Sequence, residues 1–353
     1  MRHRANLDIL RAVAVCTVLI DHAAATLQVH PGYDNRAVLD FTAQMGQVGV
    51  TSFFVHTSLV LMDSLKRLHE TEEWVALRFY VRRFFRIYPL AVFTILFALL
   101  FHLPSNTWGV VDRITGLGIA ANLLLVQNLI TGTNVVAPLW SLPYEVQMYV
   151  VLPALYLVTR TRRPILFITG LIVLFCAVAV TLAFTVGRLN MAAYVPCFLC
   201  GVLAYALLER IKPRFPAILW PVLLLTIVVA FCIVNLYYES PFWLVWIVSL
   251  ILGVSIPVFK NSTSRIANKI AETVARFSYG IYLLHVPVLY LVFFKMNVQN
   301  IPLGLALFLA ITFVASIACY YVIEKSAIDL GRRWSSRPNH KPVPVDRTLA
   351  PSN

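Results

Sequence analysis

Residues 7–25 read LDILRAVAVCTVLIDHAAA, an apolar run interrupted by Asp8, Arg11, Asp21 and His22. With its flanks it reaches the length of one bilayer crossing, which takes about 20 predominantly apolar residues. An ionisable side chain at the centre of such a helix costs roughly 2.5–3.5 kcal/mol on insertion scales, so it faces a protein interior and marks function. Arg11 and His22 are eleven positions apart. At about 100° and 1.5 Å per residue, that spacing returns to within roughly 20° of the same face, about 16 Å along the axis. One face of one helix therefore carries a fixed cation near its start and a titratable base deeper inside.

The rest of the chain has the same character. It is 59% hydrophobic and 13% charged over 353 residues, with a formal net charge of +13 and a mean hydropathy of +0.78. A soluble protein of this size could not keep so apolar a composition away from water. Apolar runs lie near 7–27, 44–64, 87–103, 114–131, 146–159, 164–186, 192–208, 216–237, 242–259, 276–294 and 302–323. With the N-terminus inside and 114–131 not crossing, 24 of the 29 lysines and arginines fall on the cytoplasmic side. Arg36, Arg113, Arg188 and Lys295 lie outside, and Arg11 lies within a span. This is the positive-inside pattern, and a crossing at 114–131 would put Arg160, Arg162 and Arg163 outside. The sequence predicts an all-α polytopic membrane protein of about ten transmembrane helices, both termini cytoplasmic, with 114–131 re-entrant or interfacial. The positive charge is then topological, and no nucleic-acid partner is expected.

Residues 1–334 form one transmembrane domain in this reading, followed by a disordered cytoplasmic tail over 335–353, SSRPNHKPVPVDRTLAPSN. The basic, apolar N-terminus imitates a cleavable signal, but Asp8, Arg11, Asp21 and His22 break its apolar region, and it is taken as the first span. Six cysteines (Cys16, Cys176, Cys197, Cys200, Cys232, Cys319) all fall in apolar stretches. Cys197 and Cys200 make a CxxC, yet no second pair or histidine cluster completes a zinc site. They are read as packing residues, with no metal.

Four segments carry a resemblance: RANLDILRAVAVCTVLIDH (4–22), FYVRRFFRIYPL (79–90), WSLPYEVQMYVVLP (140–153) and FSYGIYLLHVPVL (277–289), the last followed by YYVIEKSAIDLG (320–331). In this order the chain resembles the acyltransferase 3 family, membrane enzymes that acylate bacterial surface glycans and related molecules, over residues 4–331. The arginine and histidine of the first segment and the RxxR of the second are its most specific marks. The chain departs from the family pattern at His56, where relatives often carry leucine in FFVLSGF, and at Ser326, where proline is common. Many relatives also carry an esterase-like domain; without one, acceptor chemistry would fall to the membrane domain or a partner, such as a polysaccharide-biosynthesis protein.

The resemblance implies a bacterial inner-membrane O-acyltransferase that uses acyl-CoA, acetyl-CoA in the first instance, to esterify a hydroxyl of a glycan or glycolipid. His22 is then the general base towards that hydroxyl, or is itself acylated; the alternative is a histidine that only fixes helix packing. Arg11 holds the donor, or forms a structural ion pair with Asp8 one turn earlier. Asp21, about 100° round the helix, is a poor orienter of His22. Arg83 and Arg86 suit the phosphates of coenzyme A, but are also ordinary anchors at a span's cytoplasmic end, the role given to Arg82. Glu145, at the external end of its span, either caps the helix after Pro143 or orients the acceptor or His22. Tyr282 and His285 line a substrate cavity, or the tyrosines belong to an interfacial belt. A transporter or flippase of a lipid-linked glycan would also explain intramembrane charges, and a scaffold lacking the chemistry is the third reading.

Overall fold

A computed structural model describes residues 5–29, 36–71, 74–185, 190–238 and 242–335. The expected tail lies outside the described residues from 336 onwards. Fourteen α-helices are described, in chain order α1 (Ala5–Leu27), α2 (Arg36–Thr42), α3 (Met45–Thr71), α4 (Val75–Leu100), α5 (Gly116–Leu123), α6 (Gln127–Ile130) and α7 (Leu142–Thr159). They continue as α8 (Pro164–Thr185), α9 (Val195–Leu208), α10 (Leu219–Tyr237), α11 (Leu244–Ser255), α12 (Arg265–Tyr290), α13 (Ile301–Cys319) and α14 (Lys325–Ser335). Among the described residues, eight helical stretches are long and apolar enough to cross a membrane: those of α1, α3, α4, α8, α9, α10, α12 and α13. A shorter apolar helix, α11, runs on with its 3₁₀ extension over Leu244–Val258. The protein is an all-α polytopic membrane protein.

Burial separates an inner group of helices from an outer one. α3 and α12 are buried along most of their length, and α9 is buried on every side from Val195 to Ala206. α8 buries only Pro164, Ile168 and Ala179 and turns Leu166, Phe167, Val173 and Phe184 outwards. A helix apolar all round with its side chains outward has lipid as its solvent, because its backbone groups are already satisfied internally. α1 packs between α3 and α12, and α3 packs in turn on α9 and α11. Two glycines bring these backbones close: a Cβ at Gly49 would sit 2.6 Å from Thr17 Oγ1, and one at Gly201 would overlap Ser58 Oγ and the Val55 carbonyl. Small residues at helix crossings are how membrane helices gain packing when hydrophobic burial offers little.

Three helices run further than apolar length alone implies. α3 continues to Thr71, α4 begins at Val75 and α12 at Arg265, so Arg78, Arg82, Arg83 and Arg86 all lie on α4. At 1.5 Å per residue, a helix of 26 residues such as α4 is about 39 Å long, more than the roughly 30 Å hydrocarbon core. The excess of about 9 Å corresponds to about six residues, so the start of its basic first half extends beyond the apolar zone. The amphipathic α14 docks on that half: the Arg78 guanidinium donates to the Ser335 carbonyl, Arg82 Nε donates to Ser335 Oγ at 2.8 Å, and Trp334 packs edge-on to Phe85.

Region 114–131 holds only α5 and α6, of eight and four residues, too short to cross. Its irregular backbone is satisfied by buried amides. Asn122 donates to the Gly118 and Thr133 carbonyls at 2.8 and 2.9 Å and accepts from Val135 N at 3.0 Å, while Gln127 donates to Leu139 O at 3.0 Å. Irregular backbone at membrane depth requires such partners. A 3₁₀ turn over Ala137–Ser141 then delivers the chain to the start of α7.

Candidate functional site

Arg11, Arg83, Arg86 and Glu145 line one cavity of about 100 Å³, with His56, Thr57, Ser141, Tyr149, Ser278, Tyr279 and Tyr282 around them. Three helices, α1, α4 and α7, supply the charges, and each has a local reason to place its side chain there. Arg11 sits on the face of α1 that meets α12, and its Nε donates to Ser278 Oγ at 2.6 Å. That long-range bond fixes the guanidinium. Asp8, one turn earlier on α1, does not line the cavity.

Arg83 and Arg86 are a turn apart on α4, and the structure gives them different tasks. Arg86 Nη1 donates to Glu324 Oε2 at 2.6 Å, and its guanidinium lies 5.7 Å from the centre of the Tyr279 ring. Arg83 stacks over Phe79 at 5.9 Å, and its buried Nε has no hydrogen-bond partner. Arg83 also lines a second, larger cavity of about 430 Å³, together with Arg67, Arg82, Arg332 and Glu70. One side chain thus borders both an arginine-rich vestibule and the inner polar cavity.

Glu145 begins α7, but α7 does not begin at the edge of the protein. The 3₁₀ turn over Ala137–Ser141 leads to a start of α7 that is buried at Leu142 and Pro143, so Glu145 lies beside Arg11, Arg83 and Arg86 rather than at an external helix end. The Tyr149 hydroxyl, one turn further on, donates to it. Three guanidiniums and Glu145 line the inner cavity, and Glu324 stands behind Arg86; the balance favours an anionic guest.

His22 lies in another layer. Its Nδ1 is 2.6 Å from Nε2 of His285, the two rings stacked with centroids 4.9 Å apart. His285 has no exposure, whereas the His22 side chain keeps 19%. His285 Nδ1 is 2.8 Å from the Tyr282 carbonyl and 3.2 Å from that of Ile281. Asp21 Oδ2 stands 3.9 Å from His22 Nε2. That is too far to orient the ring by a hydrogen bond, yet near enough to act on its charge. Tyr282 lies between the layers: it lines the inner cavity, bonds Ser141 Oγ at 2.7 Å and approaches His285 with ring centroids 6.0 Å apart.

The structure therefore brings Arg11, Arg83, Arg86, Glu145 and Tyr282 together and sets His22 with His285 behind Tyr282. His56, a departure from the family pattern and third in rank after His285 among the candidate sites, lines the inner cavity at 4% exposure with its Nδ1 unpartnered. Tyr149 has no role in the sequence reading, and Glu324 stands there only within a motif. The signal for Tyr149 was its i+4 spacing from Glu145; that for Glu324 was a carboxylate at the end of a long apolar run. Among the described residues no group of three or more His, Cys, Asp or Glu could hold a metal ion.

A family model described as an acyltransferase domain, that of the acyltransferase 3 family, matches residues 4–324. No curated protein and no solved structure matches the chain. The match spans nearly the whole sequence, and the chain belongs to this family: it is a membrane acyltransferase, and the transporter reading gives way.

Proposed function

We propose that this acyltransferase takes acyl-CoA, acetyl-CoA in the first instance, from the cytoplasmic side of a bacterial inner membrane and esterifies a hydroxyl of a surface glycan or glycolipid. The observation that carries the proposal is Arg83, which borders both cavities. Coenzyme A joins a polyphosphate head to a thioester tail, and the two cavities match that division. The phosphates suit the vestibule of Arg67, Arg82, Arg83 and Arg332, since guanidiniums bind phosphate bidentately. The pantetheine arm leads past Arg83, Arg11 and Arg86 and carries the thioester on towards the histidine layer.

His22 meets the acceptor. Its partly accessible ring takes the hydroxyl proton as the oxygen attacks the thioester carbon. The C–O bond forms, the C–S bond breaks, and the proton then returns to the thiolate, so that ester and free thiol leave. Asp21, at 3.9 Å, favours the cationic ring formed in between. If His22 is acylated instead, the same groups serve two successive steps.

Mass spectrometry of surface glycans from cells with the wild-type protein, without it, and with His22→Ala tests this reading. Acyl ester is expected in the first only. Equal acylation in the His22→Ala cells, at equal protein level, would remove His22 from the chemistry.

A further inference from the structure

We infer that His285 is a positioning residue that locks His22 in one tautomer, with its proton on Nδ1 and a bare lone pair on Nε2. The inference rests on the reading of His22 as the base that meets the acceptor.

Hydrogen-bond bookkeeping leads to it. His285 Nδ1 faces two backbone carbonyls, of Tyr282 at 2.8 Å and Ile281 at 3.2 Å. A carbonyl oxygen only accepts, so Nδ1 must carry a proton. A neutral imidazole has one N–H, which leaves His285 Nε2 as an acceptor. The 2.6 Å contact between His285 Nε2 and His22 Nδ1 then has a single consistent polarity: His22 donates. The alternative makes His285 a cation with both nitrogens donating. His285 is fully buried, and the carboxylate nearest the pair, Asp21, lies on the far side of His22, 3.9 Å from its Nε2. A buried charge so placed is strongly disfavoured.

The consequence falls on the other nitrogen of His22, Nε2. With its proton on Nδ1, His22 offers Nε2 as a proton acceptor, which a general base requires; the other tautomer would offer an N–H and accept nothing. No proton passes between the rings. His22 gains one on Nε2 and returns it, while the bond to His285 holds the ring plane throughout. The helical wheel has the same logic: Tyr282 and His285 are a turn apart on α12, so the turn that aims Tyr282 at the inner cavity places its own carbonyl under His285.

The test uses the full chain in membranes, following transfer of radiolabel from acetyl-CoA into the glycan fraction of the producing cells, with acetyl-CoA affinity measured separately. His285→Asn keeps a group near Nδ1 but offers no acceptor to His22. His285→Gln places an amide oxygen near the former Nε2. Transfer is expected to fall about 10²–10⁴-fold in His285→Asn, the scale on which a misoriented catalytic histidine is impaired. Acetyl-CoA affinity should stay within about twofold, and His285→Gln should recover at least a tenth of the wild-type rate. Wild-type transfer in His285→Asn overturns the inference, as does His285→Gln no better than His285→Asn at equal donor affinity. If His22→Ala transfers normally, the base assignment itself fails; if only the His285 variants are normal, the positioning role alone falls.

Discussion

Arg86 and Glu324 form an ion pair of 2.6 Å that ties α4 to the end of the last long helix, where the backbone passes through a π-turn over Tyr320–Glu324. Glu324 is 1% exposed and Arg86 22%. The pair is therefore a structural clasp as well as a wall of the inner cavity. Removing one partner strands the other charge. Glu324→Ala should destabilise the protein by an amount at the low end of roughly 3–5 kcal/mol, since Arg86 keeps some access to solvent. The double variant Arg86→Met with Glu324→Leu should recover most of that loss without recovering activity. Thermal unfolding of the purified chain in detergent measures both; a double variant no more stable than Glu324→Ala would show that the clasp is not the reason.

Arg82 and Arg83 are neighbours with unequal prospects. Arg82 bonds Ser335 and stays in the vestibule, whereas Arg83 borders both cavities. Arg83→Ala should weaken acetyl-CoA binding about 10–100-fold, the worth of one charge-assisted bond, and Arg82→Ala by several-fold less. Calorimetric titration separates them, and equal losses would contradict the division of tasks. Added salt should weaken binding in the wild type, because the vestibule opens to solvent.

His56 lines the inner cavity and carries a buried Nδ1 without a hydrogen-bond partner. Leaving a polar atom so costs about 1–3 kcal/mol, a penalty that a bound substrate or water could relieve. His56→Leu should raise the unfolding temperature and at the same time raise the acetyl-CoA KM. A variant that is more stable and kinetically unchanged would make His56 an idle departure from the family pattern.

Gly201 has no room for a side chain between α9 and α3. Gly201→Ala should cost about 1–3 kcal/mol as overpacking, because the Val55 carbonyl is backbone and cannot swing aside. Yield and unfolding temperature after extraction report it; normal values would mean that the two helices can part cheaply.

Much of this was legible in residue order. Apolar run lengths anticipate the helical architecture, and α5 and α6 are each too short to cross. The charges of Arg11, Arg83, Arg86 and Glu145 stand out because lipid is a poor solvent for them. Their partnerships were not legible. Helical spacing correctly puts Arg11 and His22 on one face of α1, but says nothing of what that face meets: Ser278 at one level and His285 at the other. Nor does it show that the turn over Ala137–Ser141 starts α7 inside the protein, which moves Glu145 from a helix edge to the polar centre. Glu324 was quoted only as part of a motif, because its partner lies 238 positions away.

The close approaches at Gly49 and Gly201 make α1, α3 and α9 a single interlocked slab. Arg11, His22 and His56 all ride on that slab, so neither α1 nor α3 can slide or rock without separating backbones already in contact. If the donor is acyl-CoA, as proposed, its acyl group must reach the histidine layer along a stationary frame. On that reading the moving parts are the pantetheine arm and the acceptor, and turnover depends on how fast small groups swing rather than on how fast helices tilt.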